Sequence, residues 1–416
     1  MMKKKLILQG TILVLILMLS TFAKAQETGL RSQSVSIFID CDNCDLDHIK
    51  REITWVNYVR EPKEADIHLL ITGEQTGAGG SKVNLFFIGQ KKFKSKNDTL
   101  SFVNLPDDTQ EIIRKRLVSK IKIGLVSYVK QTPLADYISA DVFIPEETEE
   151  VVDKWNNWVF RLSTSGYANG NKNFKQYNIW SSVSANKITE KFKSETYFSN
   201  NYSESNFNYD NYSYKSINRS YSFNHQDIFS LTQHWSAGYW FGGNSSTYSN
   251  LKYGYYLYPA IEYSLFPYRE STRKQLRINY SVGPTKRHYN DTTIYNKLDE
   301  LLWKQNVNLA AEFVQQWGRV WLYATYSNYL HDFSLNRLSF NTSISIRLLK
   351  GLEFYVYTGY SIIHDQIGLP KGEASQEELL LQQRELKTDY SFWGNAGLSY
   401  TFGNLYNNVV NPRFGN

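Results

Sequence analysis

Residues Arg337 to Leu348, RLSFNTSISIRL, alternate with a period of two: Leu338, Phe340, Thr342, Ile344, Ile346 and Leu348 fall on one face, and Arg337, Ser339, Asn341, Ser343, Ser345 and Arg347 on the other. That is the period of a strand, apolar on one side and polar on the other. The alternation recurs along the whole second half of the chain, with aromatic residues at the ends of the apolar faces. It predicts a transmembrane antiparallel β-barrel whose outward side chains meet lipid and whose inward side chains meet water.

About twelve strands are expected from Trp158 onward, centred on 160–166, 177–185, 192–199, 221–231, 236–246, 255–265, 276–282, 303–315, 320–330, 338–348, 352–362 and 392–402. Short connections (186–189, 232–235, 266–272, 317–318, 349–351) alternate with long ones (200–216, 284–301, 364–388). This alternation matches short periplasmic turns and long outer loops, with both termini in the periplasm. Within the last loop, Glu377 to Leu386 reads as a short helix. Leu398, Tyr400 and Phe402 share a face in the last strand, an aromatic end of the kind that outer-membrane assembly reads, followed by a tail over 404–416.

Upstream, 34–130 has the texture of a small α+β domain. Strands are expected over 34–40, 65–72 and 82–89, with helices over 45–53 and 107–130. The second helix would start at Asp107 or Asp108 and bury Ile112, Ile113, Leu117, Ile121 and Leu125. Gly77-Ala78-Gly79-Gly80 reads as a hairpin loop, giving a β-α-β-β-α order. Residues 131–154 form an acidic linker with Pro133, Pro145 and the run Glu146 to Glu150. Trp155 and Trp158 then stand where a chain enters a membrane, and the barrel occupies 155–403.

Lys3, Lys4 and Lys5 before an apolar run, and Ala23-Lys24-Ala25 after it, predict a secretory signal over 1–25. No cysteine directly follows, so an N-terminal lipid anchor is not expected. Beyond the signal no run approaches the ~20 apolar residues of a membrane helix, which leaves strands to make the crossing. The formal charge of +6 loses the four lysines of the signal, so the mature chain is near neutral and shows no nucleic-acid footprint. The 31 Tyr, 23 Phe and 10 Trp suit barrel interfaces and a polar lumen better than a soluble core.

Several segments carry a resemblance: Asp40-Cys41-Asp42-Asn43-Cys44-Asp45, Val56 to Arg60, Ala65 to His68, Phe266-Pro267-Tyr268, Ser271-Thr272-Arg273, His331-Asp332-Phe333, Leu369 to Gly372 and Ser399 to Gly403. Over nearly the whole mature chain these resemble a group of outer-membrane barrel proteins from Bacteroidota to which no activity is attached. The N-terminal domain is similar to the small periplasmic domains of TolB-like proteins, an analogy of fold alone. The resemblance implies a Gram-negative outer membrane with the N-terminal domain in the periplasm. It carries no catalytic residues across.

Candidate chemistry is sparse. Cys41 and Cys44 form a C-x-x-C between a strand and a helix start, where a thiol pKa is lowered. A structural disulfide is the leading reading; redox catalysis lacks the expected fold order, and zinc binding with His48 and Asp47 or Asp42 lacks a second ligand pair. Gly73 to Lys82, GEQTGAGGSK, lacks the Gly-Lys-Ser/Thr order of a phosphate loop. His331-Asp332 and His364-Asp365 lie on the outer rim, where the default reading is solvated turn residues. No His-Ser constellation on a lipid-facing edge is read from the sequence. No cofactor and no metal site are expected.

The polar faces are predicted to aim Arg161, Glu262, Arg277, Lys304, Glu312, Arg337, Arg347 and Glu353 into the lumen. Such charges either pair and fill a narrow barrel or line a channel. The function expected is a non-enzymatic outer-membrane barrel, embedded in outer-membrane lipid, that anchors a periplasmic interaction domain for a protein partner. The alternatives are a passive channel for small polar solutes and a rim-located hydrolase.

Overall fold

The computed structural model describes residues 33–77, 79–137, 154–209, 212–372, 384–408, 410, 411 and 413. The expected signal peptide, most of the linker and most of the Glu377 to Leu386 helix lie outside them.

The N-terminal domain runs β1 (Ser36–Asp40), α1 (Leu46–Glu52), β2 (Asn57–Tyr58), β3 (Ile67–Gln75), β4 (Ser81–Gly89), β5 (Asn97–Asn104) and α2 (Gln110–Val129). Its sheet order is β2-β1-β3-β4-β5. β1 lies parallel to β2 and β3, and the remaining pairs are antiparallel. The expected order thus gains β2 and β5. β5 was hidden because it is an edge strand whose first residues are exposed and whose buried face is limited to Leu100, Phe102 and Asn104. α1 begins on Asp45, whose carboxylate accepts from the His48 amide at 2.8 Å. α2 begins on Thr109 instead of Asp107 or Asp108. Asp108 is engaged elsewhere, accepting from the Leu105 amide and the Arg116 guanidinium, each at 2.6 Å. Leu117, Val118, Ile121, Leu125 and Tyr128 of α2 pack on Ile37, Leu69, Leu85 and Phe87 of the sheet. Ile112, expected in that face, is exposed. Residues 131–137 also belong here, since Leu134 packs on this core, so the linker starts later than expected.

The larger unit is a twelve-stranded sheet in strict sequence order. Its strands are β6 (Trp158–Gly170), β7 (Phe174–Ile188), β8 (Phe192–Tyr209), β9 (Tyr212–Ser230), β10 (Trp235–Ser246), β11 (Leu251–Ser264), β12 (Lys274–Tyr289), β13 (Asp299–Gln315), β14 (Gly318–Tyr329), β15 (Asp332–Leu349), β16 (Leu352–Ile363) and β17 (Tyr390–Tyr400). Every predicted strand has its counterpart, and every neighbouring pair is antiparallel. Two expectations change. Residues 200–216 are not a long loop: β8 and β9 continue through them, because the backbone ladder persists after the apolar face has ended. And β6 and β17 are the sheet's edges, with no pairing between them among the described residues. Alternation fixes which face is oily, but not whether the last edge meets the first.

Register carries the faces from strand to strand. Phe340 stands opposite Ala324 and Tyr360, and Ile344 opposite Val320 and Val356, all on the apolar face. Ser339 stands opposite Thr325 and Ser361 on the polar face. The N-terminal domain spans the end of the sheet that holds the short turns. A Cβ on Gly77, at the tip of the β3–β4 hairpin, would lie 2.6 Å from Cβ of Ile188 at the end of β7, while Asp40 of β1 bonds Arg347 near the end of β15. Laid flat, the strand spacings from β7 to β15 would cover ~38 Å, whereas β3 is ~30 Å long. The sheet must therefore curl under the domain.

α2 approaches the sheet through Gly124, where a Cβ would come 2.1 Å from the Phe87 ring. Gly124→Val is expected to lower the stability of this domain by about 2 kcal/mol through overpacking. An earlier urea transition of the N-terminal domain in the full chain, with the sheet's own transition unmoved, checks it.

Candidate functional site

Arg347 sits on the polar face of β15, near the turn end. Its Nη1 and Nη2 donate to Oδ2 and Oδ1 of Asp40 at 2.8 and 2.9 Å, and Nη1 also donates to the Gln316 carbonyl at 3.0 Å. The guanidinium lies over the Phe38 ring, 5.2 Å from its centroid. Behind the carboxylate, His68 Nε2 stands 2.9 Å from Asp40 Oδ2, and His68 is fully buried. Burial pushes the Asp40 carboxyl up, but its bonds to His68 and Arg347 and the Arg347 charge outweigh that, leaving it below the ordinary carboxylate range. A bidentate guanidinium contact of this kind fixes orientation as well as charge.

Further contacts surround this one. Arg319, on the polar face of β14, pairs with Asp42. Lys350 Nζ lies 2.9 Å from Glu64 Oε1, and the Gly351 amide donates to Glu61 Oε2 at 3.0 Å. Gly351 holds φ at +72° in the β15–β16 turn, and a Cβ there would meet the Thr401 carbonyl at 2.1 Å, so glycine is required. After β17 the chain returns to the N-terminal domain. Tyr406 forms an antiparallel bridge with Val59, the Arg60 amide donates to the Leu405 carbonyl at 3.0 Å, and the Asn407 amide donates to the Tyr58 carbonyl at 2.8 Å. The segment after β17 thus extends the β2 edge. A cavity of about 570 Å³, lined in part by Phe38, Glu61, Trp317, Arg347, Leu349 and Glu353, remains at this junction.

The opposite end closes differently. Residues 364–372, following β16, run across to the loops flanking β11 and β12: the Ile294 amide donates to the Leu369 carbonyl at 2.9 Å and the Lys371 amide to the Thr292 carbonyl at 2.8 Å. Ile367 is buried with Leu302 and Tyr329, which lie on the polar face. Asp365 is buried between Arg337, whose Nε is 2.8 Å from Oδ1, and Lys304, whose Nζ is 3.5 Å from Oδ2.

All the charged residues predicted to point inward fall on the one polar face that register defines. Arg161 stands opposite Ser184, Glu262 opposite Asn279 and Ser236, Arg277 opposite Ala310, Lys304 opposite Gly283, Glu312 opposite Gln275, Arg337 opposite Ser327, and Arg347 opposite Glu353. Glu262 and Arg277 pair with each other at 3.6 Å. Glu312 accepts from Gln275 at 2.7 Å, and Glu353 from Ser345. Lys304, Arg337 and Arg347 instead take their carboxylates from segments outside the sheet. Asp40 and Asp365 escaped the sequence reading because alternation locates a strand's faces and is silent on what folds back over them.

Cys41 and Cys44 are joined as a disulfide just before α1, with Cα atoms 5.8 Å apart. Of the rim pairs, His331 and His364 are exposed and Asp332 accepts from Ser334, whereas Asp365 is buried rather than solvated. The apolar face also carries a threonine–histidine contact that the sequence did not reveal. Thr196 Oγ1 lies 2.8 Å from His225 Nδ1, and His225 Nε2 lies 3.5 Å from Asp227, which accepts from Tyr239. Thr196, His225 and Tyr239 are all within ladder-paired β8 to β10, whose amides are committed to neighbouring strands. No donor pair is thereby left to hold an oxyanion, and the group reads as a polar patch in which Asp227 Oδ1 is left without a hydrogen-bond partner among the described residues.

Arg347→Ala is expected to weaken docking of the N-terminal domain by about 2 kcal/mol, because Asp40 keeps its burial and loses its strongest partner. Faster amide exchange over 57–60 and 404–408, with the N-terminal core unchanged, reads this out. The Asp40 pKa is lowered by folding, so its contribution is present above the unfolded carboxylate value and is lost as pH falls through the lower folded value. Docking should therefore hold at neutral pH and loosen below pH ~4, and the same exchange measurement across that range checks it.

No protein family matches the chain, and no curated protein matches it. Among solved structures, the translocator domain of the autotransporter NalP from Neisseria meningitidis is matched over 59% of this chain and 82% of that one, with 10% identity and a TM-score of 0.20, a likeness too slight to bear on fold or function.

Proposed function

We propose that this chain is a non-enzymatic outer-membrane β-barrel that anchors its N-terminal α+β domain across its own periplasmic mouth. The observation that carries the reading is Asp40 seated bidentately on Arg347, a residue of the polar face, with the chain after β17 adding to the same domain. The domain is thus held against the barrel and does not hang from a flexible tether. The apolar face supports the membrane setting. Phe160, Leu162, Ile261, Ile278 and Leu398 are exposed on it, more apolar surface than a soluble monomer leaves to water. Unpaired backbone at β6 and β17 is intolerable in lipid, so the two edges join there. The signal sequence and the resemblance to Bacteroidota barrel proteins point to the same envelope. On the domain's far side Ile112, Ile123 and Val126 of α2 are exposed, a surface suited to a periplasmic protein partner.

A second reading is passage of small polar solutes. It is favoured by the charges of the polar face, four of which, among the described residues, are met by carboxylates of the cap and of the loop after β16.

The full chain, expressed in a Gram-negative host, is expected in the detergent-extracted outer-membrane fraction. Protease should cleave the N-terminal domain only after the outer membrane is permeabilised. A mature chain that stays in solution without detergent, or an N-terminal domain cut on intact cells, overturns the reading.

A further inference from the structure

The seat of Asp365 is built by the sheet and filled by the loop. Lys304 comes from β13 and Arg337 from β15, and among the described residues neither has another carboxylate within ion-pair distance. The Lys304 ammonium lies 5.3 Å from the Tyr329 ring centroid, and Tyr329 is fully buried. Arg287 of β12 lies on the same polar face, opposite Glu300 in register, and Glu300 accepts from the Tyr289 hydroxyl at 2.5 Å. With Asp365 in place three cations, Lys304, Arg337 and Arg287, face two carboxylates, Asp365 and Glu300; without Asp365 they face one. The loop is also held by Ile367 and Leu369, by backbone bonds to 292, 294 and 336, and by Asn250, whose Nδ2 donates to the Gly368 carbonyl at 3.0 Å. Asp365 is its one ionic tie to the sheet among the described residues.

We propose that Lys304 and Arg337, with Arg287 beside them, form a binding site for the carboxylate of a small solute at the outer mouth, and that Asp365 is the site's internal occupant. A solute carboxylate that takes this seat displaces Asp365 and loosens residues 364–372 from the polar face. The barrel reading above supplies only the side from which the solute arrives; binding and displacement do not depend on it.

The test uses the full chain in detergent micelles, with succinate as the probe. In the wild-type protein, succinate is expected to raise amide exchange over 364–372, while sodium chloride at equal ionic strength does not. Asp365→Asn removes the competitor and is expected to bind succinate about tenfold more tightly than wild type. That gain should vanish in Asp365→Asn combined with Arg337→Met. Choline should bind none of the three. The proposal is overturned by exchange that succinate leaves unchanged, by exchange that chloride raises equally, or by a gain in affinity that survives loss of Arg337. Should Asp365→Asn fail to fold, the wild-type exchange measurement decides alone.

Discussion

Positive charges on the polar face of the large sheet find few counter-ions on that face. Arg277 meets Glu262, but Lys304, Arg337, Arg347 and Arg319 look beyond the strands. A cation enclosed by protein is costly unless a partner and hydrogen bonds accompany it. The partners arrive from segments that the strands do not contain: Asp40 and Asp42 from the N-terminal domain, Asp365 from the loop after β16. One electrostatic requirement thus draws a cover over each end of the sheet.

The two covers are built to different strengths. At the turn end the bidentate Asp40–Arg347 contact is backed by a fully buried imidazole, by Glu61 on the Gly351 amide, and by main-chain bonding to the segment after β17. At the loop end a single carboxylate is shared between two cations from different strands, over a small apolar cluster. The first resembles a domain interface in which backbone and side chains cooperate. The second resembles a ligand in a pocket.

Much of this architecture was legible in the alternation alone. The strands from β6 to β17 each announced themselves because half of their side chains must be apolar and the other half polar, and register then placed Arg161, Glu262 and Arg337 together on one side. Where that contrast fades, legibility fades with it. β5 has little buried surface, and the outer halves of β8 and β9 are polar on both faces, so neither declared its extent. The cap of α2 went to Thr109 because Asp108 was recruited by Arg116, a tertiary choice that local pattern cannot see. The residues that close the two ends of the sheet, Asp40, His68 and Asp365, are defined by meetings across long stretches of chain, which spacing does not encode.

The pairing of residues 405–407 with the β2 edge has a consequence for biogenesis. The N-terminal domain is synthesised first, with a core of its own, yet its β2 border stays bare until the final strand has been laid down and the chain doubles back. Completion of this edge is therefore the last event of folding, and a bare border marks a molecule whose final strand has not yet been placed.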